Sequence, residues 1–191
     1  MESDLNNLLK GHKDLFCLLS ALNNIFPAYS SPKDFTLKPK QVICLDHLRK
    51  GGNVIAILPT GYGKSLIFHL LAFILQEKTS CGNIVIVVSP LSSIINDQIK
   101  DLKKSGILAD YLRIKESNEP EFVSLFDQLI LEEHELPETL PQNILEGKLS
   151  LLYGHPESFL SDQGIKLVSS KIYQENVAAI VVDEAHCIEM W

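Results

Sequence analysis

The chain has 191 residues, of which 46% are hydrophobic and 21% are charged, and its formal charge at pH 7 is −7. This length suits one globular domain with a real core, which argues against wholesale disorder. The longest apolar run, Leu66–Leu75, is ten residues long and contains His69. It is too short for the ~20 residues of a membrane-spanning helix, so we expect no membrane partner.

The N-terminus, the cysteines and the distribution of acidic residues bear on the compartment and the partners of the protein. There is no basic, apolar leader at the N-terminus, and the four cysteines include no C-x-x-C pair. We therefore expect an intracellular protein without a zinc site or disulfide framework. Residues 116–147 hold nine of the 24 acidic residues and no Lys or Arg. Because the negative charge is local, the overall acidity does not exclude a nucleic-acid partner.

In chain order, the helical spacing of apolar residues in 4–26 predicts an amphipathic helix or helix pair within an N-terminal extension, 1–34. After a proline-rich connector, a helix over 41–50 is predicted to end at two glycines. Short apolar runs then alternate with helical segments at 65–76 and 92–105. The runs are Val54–Leu58, Ile84–Val88, 149–153 and Val177–Val182. This alternation predicts an α/β domain over 35–191, with a parallel sheet covered by helices on both faces. The acidic segment 116–147 is interpreted as an insertion with one amphipathic helix.

A glycine-rich turn between the first apolar run and the next helix carries the strongest chemical signal. Glycines let successive N–H groups point into one concavity, and the N-terminus of the following helix adds partial positive charge. Lys64 supplies a cation for the β- and γ-phosphates, and the Ser65 hydroxyl is placed to reach Mg²⁺. The residues predicted to bind the nucleotide here are Thr60, Gly61, Gly63, Lys64 and Ser65.

A second site follows the last apolar run, where Asp183-Glu184-Ala185-His186 begins. Functional groups collect at the carboxyl ends of strands in an open α/β sheet. We expect Asp183 to hold Mg²⁺ and Glu184 to act as the general base on the attacking water.

Four motifs in this order and spacing resemble superfamily 2 helicases, and within them the RecQ-like DNA helicases. The resemblance runs from about residue 35 to residue 191. Its motifs are Leu-Pro-Thr-Gly-Tyr-Gly-Lys-Ser (58–65), Val-Ser-Pro-Leu-Ser-Ser-Ile-Ile-Asn-Asp-Gln (88–98), Tyr-Gly-His-Pro-Glu (153–157) and Asp-Glu-Ala-His-Cys-Ile-Glu-Met-Trp (183–191). It implies a P-loop, RecA-like fold of the DEAH-box type, with ATP and Mg²⁺ as cofactors.

The resemblance also implies roles for single residues. Gln41 matches the glutamine that reads adenine, although Lys38 stands where RecQ proteins usually have arginine. His186 matches the residue that couples hydrolysis to DNA contact. The residues that match single-stranded DNA contacts are Ser89, Pro90, Leu91, Gln98, Pro156, Glu157 and Trp191. A partner of single-stranded or partly duplex DNA, unwound with 3′–5′ polarity, and residence in the nucleus follow from the same resemblance.

The resemblance further implies elements that this sequence does not contain: a Ser-Ala-Thr segment, a second RecA-like domain and an arginine that completes the ATP site. By analogy, the Ser-Ala-Thr strand lies between the phosphate-loop strand and the Asp183 strand. We therefore expect a sheet that is incomplete toward the C-terminus, with two unpaired edges, and poor ATP turnover by this chain alone. The alternatives are a nucleotide- or DNA-binding module without turnover, a gene-model fragment, and an RNA helicase.

Overall fold

The structure, a computed structural model, describes residues 37–78, 84–104, 107–113 and 140–190. The predicted N-terminal extension, most of the acidic segment and Trp191 lie outside the described residues. The described strands are β1 (Ile84–Val88), β2 (Ala109–Leu112), β3 (Leu151–Gly154) and β4 (Val177–Val182). The described helices are α1 (Pro39–Arg49), α2 (Lys64–Lys78), α3 (Ser92–Lys104), α4 (Gln142–Leu145), α5 (Pro156–Leu160), α6 (Asp162–Val168) and α7 (Lys171–Asn176), followed by a 3₁₀ turn (Ala185–Met190).

The four strands form one parallel sheet in the order β2-β3-β1-β4. Strand β1 lies in the interior of this sheet, where Val85 is paired with Leu151 of β3 and Ala179 of β4. Because the strands are parallel, the segments that follow them meet at one edge of the sheet. The predicted α/β class and parallel sheet are confirmed.

Helices cover both faces of the sheet, as predicted. Side chains alternate along a strand, so Val85 and Val87 of β1 pack into a core with α1, α2 and α3. Ile84 and Ile86 point the other way, into a second core built with α4, α6 and α7. A continuous β-branched run at β1 is therefore buried on both sides.

Helix α2 is apolar on most of its surface because it packs between the sheet and α1. His69 lies inside it with no exposed surface. Its Nε2 lies 2.7 Å from the Tyr153 hydroxyl of β3, so the buried ring is also hydrogen-bonded. Within the described part of the chain, no helix has the length and apolarity needed to cross a bilayer.

The prediction of a strand at Val54–Leu58 is wrong. This segment has no regular secondary structure, none of the described strands pairs with it, and Ile55 and Ile57 are 93% and 88% exposed. An apolar run becomes a strand only where a neighbour supplies the ladder hydrogen bonds. Among the described strands, β4 borders the same cleft of about 690 Å³ as this segment, and its Ile180 is 68% exposed. Among the described strands, β4 pairs on one side only, with β1, and its open edge lines this cleft opposite residues 52–58. Of the two unpaired strand edges expected from the resemblance, only this one is observed, because 54–58 forms no strand.

The end of the predicted acidic insertion packs into the domain. Ile144 of α4 is fully buried, and its carbonyl oxygen accepts a hydrogen bond of 2.8 Å from the Tyr173 hydroxyl of α7. Residues 140–147 of the 116–147 segment are therefore joined to the core on the α7 side of the sheet. The amphipathic helix predicted earlier in that segment lies outside the described residues.

Candidate functional site

The glycine-rich loop before α2 has the backbone shape of an anion cradle. Gly61 and Gly63 have φ values of +74° and +87°, which L side chains rarely adopt. Helix α2 begins at Lys64, directly after the second of these glycines, so its N-terminal N–H groups and dipole lie at the loop. Thr60 is exposed in the turn before them. The loop therefore combines the two features that favour phosphate binding.

Gln41 of α1 forms hydrogen bonds with the backbone of this loop. Its Nε2 donates hydrogen bonds to the carbonyl oxygens of Tyr62 (3.1 Å) and Gly63 (3.0 Å), while its Oε1 accepts one from the Lys38 backbone N–H (2.8 Å). Lys38 adds a second contact, with its Nζ 4.6 Å from the centre of the Tyr62 ring. A Cβ on Gly63 would lie 2.7 Å from Gln41 Nε2. The loop contact of Gln41 was not foreseen, and its role in reading adenine stays a prediction.

The acid pair lies at the carboxyl end of β4. The Asp183 N–H donates to the Val88 carbonyl of β1 (2.9 Å), which extends the ladder by one bond. The Glu184 N–H donates to Asp183 Oδ1 (3.0 Å). Glu184 has a φ of +50°, an uncommon conformation for a residue other than glycine. The turn that carries the two carboxylates is therefore fixed by hydrogen bonds to the sheet and within itself.

Lys64, Asp183, Glu184 and His186 all border the cleft between β4 and residues 52–58. Burial raises the pKa of the Asp183 carboxyl, and the neighbouring Glu184 charge raises it further, whereas the backbone hydrogen bond from Glu184 and the Lys64 charge lower it. His186 Nδ1 lies 3.2 Å from Glu184 Oε2. The structure thus brings the predicted catalytic residues together from two distant parts of the chain.

Ser65 and Gln98, predicted for different tasks, are in direct contact. Gln98 Nε2 of α3 donates a hydrogen bond of 3.1 Å to Ser65 Oγ of α2. Gln98 also hydrogen-bonds His69, whose pKa burial lowers to about 4. His69 in turn contacts the Tyr153 hydroxyl at 2.7 Å. A hydrogen-bonded network therefore runs from the expected Mg²⁺ ligand to the end of β3.

The other described residues that are predicted to contact DNA lie after β1 and β3, at the same edge of the sheet. The Ser89 N–H donates to the Gly154 carbonyl (3.0 Å), and the Ser89 side chain is only 3% exposed. Pro156 is also buried, at the first turn of α5. Pro90 is half-buried, and Leu91 and Glu157 face solvent. Ser89 and Pro156 are buried and fix the course of the protein backbone here, whereas the side chains of Leu91 and Glu157 are exposed and available for contact with a ligand.

Asp183 and Ser65 carry oxygen atoms of the type that magnesium prefers. Mg²⁺ prefers hard oxygen ligands and usually takes one or two from the protein, with water and substrate phosphates filling its other positions. Asp183 offers a half-buried carboxylate whose ionised form is disfavoured by burial, and Ser65 offers a hydroxyl at the start of α2. A cation beside Asp183 would offset that penalty.

The profile of the DEAD/DEAH box helicase family matches residues 38–191, and the chain belongs to this family. Its acid box has the Asp-Glu-Ala-His form, at 183–186. The match covers every described element from α1 to the 3₁₀ turn, so it concerns the same sheet and the same cleft.

Similarity to RecQ-type proteins confirms the narrower resemblance. The ATP-dependent DNA helicase Q-like 5 of Arabidopsis thaliana is 32% identical over 176 residues, which are 91% of this chain and 16% of that protein. The ATP-dependent helicase SGS1 of Saccharomyces cerevisiae is 31% identical over 157 residues, 81% of this chain and 10% of the relative. The ATP-dependent DNA helicase RecQ of Haemophilus influenzae is 29% identical over 173 residues, which are 91% of this chain and 23% of that protein. The chain thus spans between a tenth and a quarter of the length of these relatives.

Proposed function

We propose that this chain is the ATP-binding half of a RecQ-like DNA helicase, which couples ATP hydrolysis to 3′–5′ movement on single-stranded DNA and to duplex unwinding. The observation that carries the proposal is the convergence of Lys64, Asp183 and Glu184 on one cleft beside the glycine loop. DNA as substrate and the nucleus as location rest on the printed names and on the eukaryotic members among the relatives, which also include bacterial proteins.

Each residue of the site has a distinct task in this proposal. The loop N–H groups and Lys64 bind the phosphates, and Ser65 and Asp183 hold Mg²⁺. When bound, the metal supplies positive charge that stabilises the charge developing on the phosphates. Glu184 orients the attacking water and accepts its proton. His186 couples hydrolysis to DNA contact in this proposal, and its Nδ1 lies 3.2 Å from Glu184 Oε2, which supports that role.

We also propose that the chain alone turns ATP over slowly. Among the described residues that line the cleft, Lys64 is the only Lys or Arg. In phosphoryl transfer, an added arginine contributes a factor of about 10³–10⁵ to the rate. The same observation favours the second candidate function, a module that binds nucleotide and DNA without turnover.

The test is ATPase activity of the 191-residue chain with and without single-stranded DNA, beside Glu184→Gln. We expect a rate at least ~10³-fold below that of a complete two-domain relative. DNA-stimulated turnover at the relative's rate, abolished in Glu184→Gln, would overturn the claim of slow turnover. Tighter binding of single-stranded RNA than of single-stranded DNA at matched salt would instead indicate an RNA helicase.

A further inference from the structure

Three side chains stack on one another at the carboxyl ends of β2 and β3. The rings of Tyr111 and His155 are parallel within 27°, with their centres 5.9 Å apart. The Arg113 guanidinium carbon lies over the Tyr111 ring, 4.7 Å from its centre. An arginine–aromatic contact of this kind holds the planar cation in a defined orientation. We refer to Tyr111, Arg113 and His155 as the β2-edge stack.

Helix α3 anchors the β2-edge stack through two residues. Ser92 Oγ lies 2.8 Å from His155 Nε2 and 3.3 Å from the Tyr111 hydroxyl. Asn96, one turn further along α3, accepts a hydrogen bond of 2.7 Å from Arg113 Nη2. The β2-edge stack therefore joins β2, the residue after β3 and helix α3, and hydrogen bonds hold its side chains in place.

The stack lies directly beside the predicted DNA contacts. Ser92 follows Leu91 in the chain, and His155 precedes Pro156. Because β2 pairs with β3 in parallel, Arg113 emerges at the same edge, one strand further out. Among the described residues, Arg113 forms no ion pair with a carboxylate. Glu157 is 70% exposed with its carboxylate 4.0 Å from His155 Nδ1, and Asp110 accepts a hydrogen bond from Asn143 at 2.6 Å.

We propose that the β2-edge stack is an additional contact for the phosphate backbone of single-stranded DNA, with Arg113 as the phosphate ligand. This inference rests on the proposed function. A guanidinium has five N–H donors in a planar fork, so one bond to Asn96 leaves donors for a phosphate oxygen pair. Tyr111 and Ser92 are positioning residues, since their contacts orient Arg113 and His155. The added contact lengthens the DNA path from β1 and β3 to the edge strand β2.

The test is the salt dependence of single-stranded DNA binding by the 191-residue chain. Each phosphate contact on a single strand contributes about 0.7 to the slope of log K against log salt. We expect Arg113→Ala to lower the slope by about that amount and to weaken binding about tenfold at low salt. Lys103→Ala is the matched control, because it removes the same charge from an exposed position ~16 Å along α3 from Ser92. It should leave the slope unchanged.

A second variant separates positioning from charge. Tyr111→Leu removes the ring under Arg113 but no charge, so it should weaken binding, and Arg113→Ala should then cost much less than in the wild type. Equal effects of Arg113→Ala and Lys103→Ala on the slope, in a chain that still binds DNA, would overturn this inference alone. Complete absence of DNA binding by the wild-type chain would instead contradict the proposed function.

Discussion

Buried His69 makes the stability of this domain depend on pH in a defined range. Burial lowers the pKa of His69 from 6.5 to about 4 in the folded chain, whereas the unfolded chain keeps an ordinary value. Between pH 6.5 and 4 the unfolded state therefore binds a proton that the folded state excludes. The free energy of unfolding must fall as the pH is lowered through this range, by about 1.4 kcal/mol per pH unit. At pH 4.5 the loss from this one group reaches about 2–3 kcal/mol.

The assay is urea unfolding of the wild type and of His69→Gln at pH 7, 6, 5 and 4.5. Carboxylates titrate in both proteins, so the difference between their free energies of unfolding isolates His69. We expect the wild type to lose stability relative to His69→Gln steadily below pH 6.5, with the difference constant above it. A difference that stays constant from pH 7 to 4.5 would refute the reasoning, since it would mean that the folded chain accepts the proton as readily as the unfolded one.

Two further predictions concern the nucleotide loop and the acid pair. Gly63→Ala should weaken nucleotide binding and destabilise the domain more than Gly51→Ala, because both positions have positive φ but only a Cβ at 63 meets Gln41, at 2.7 Å; equal costs in urea unfolding would exclude the Gln41 contact as the cause. Asp183→Asn should raise stability at pH 7 while weakening Mg²⁺-dependent nucleotide binding. Burial raises the Asp183 pKa, so the wild type loses stability as the pH rises through that value and the amide does not. Unfolding curves with unchanged pH dependence in this variant would contradict that assignment.

The sequence predicted two of the four described strands with their observed bounds. The runs at Ile84–Val88 and Val177–Val182 are observed as β1 and β4 with the predicted bounds. Strand β1 is continuously β-branched and buried on both faces, whereas β4 pairs with β1 and leaves alternate residues exposed. Strand β2 was missed, since four residues that include a polar Asp110 carry little pattern. Val54–Leu58 was predicted incorrectly because a local pattern reports apolarity and not the presence of a pairing neighbour.

The sequence predicted the phosphate loop of the site but not the contacts that Gln41 and Gln98 make with it. A phosphate loop is indicated by Gly61, Gly63 and Lys64, because backbone curvature and charge depend on local residue types. The contacts of Gln41 with Gly63 and of Gln98 with Ser65 join residues 22 and 33 positions apart. Their pairing depends on how the helices pack, which no local spacing encodes.

The central claim is that the cleft beside the glycine loop binds ATP with Mg²⁺, and equilibrium binding of a fluorescent ATP analogue tests it most directly. The measurement compares the 191-residue chain with Lys64→Ala and with Lys166→Ala, an exposed lysine on α6. The account predicts Mg²⁺-dependent binding by the wild type and by Lys166→Ala, and its loss in Lys64→Ala. Unchanged affinity in a folded Lys64→Ala protein would contradict the assignment of the site.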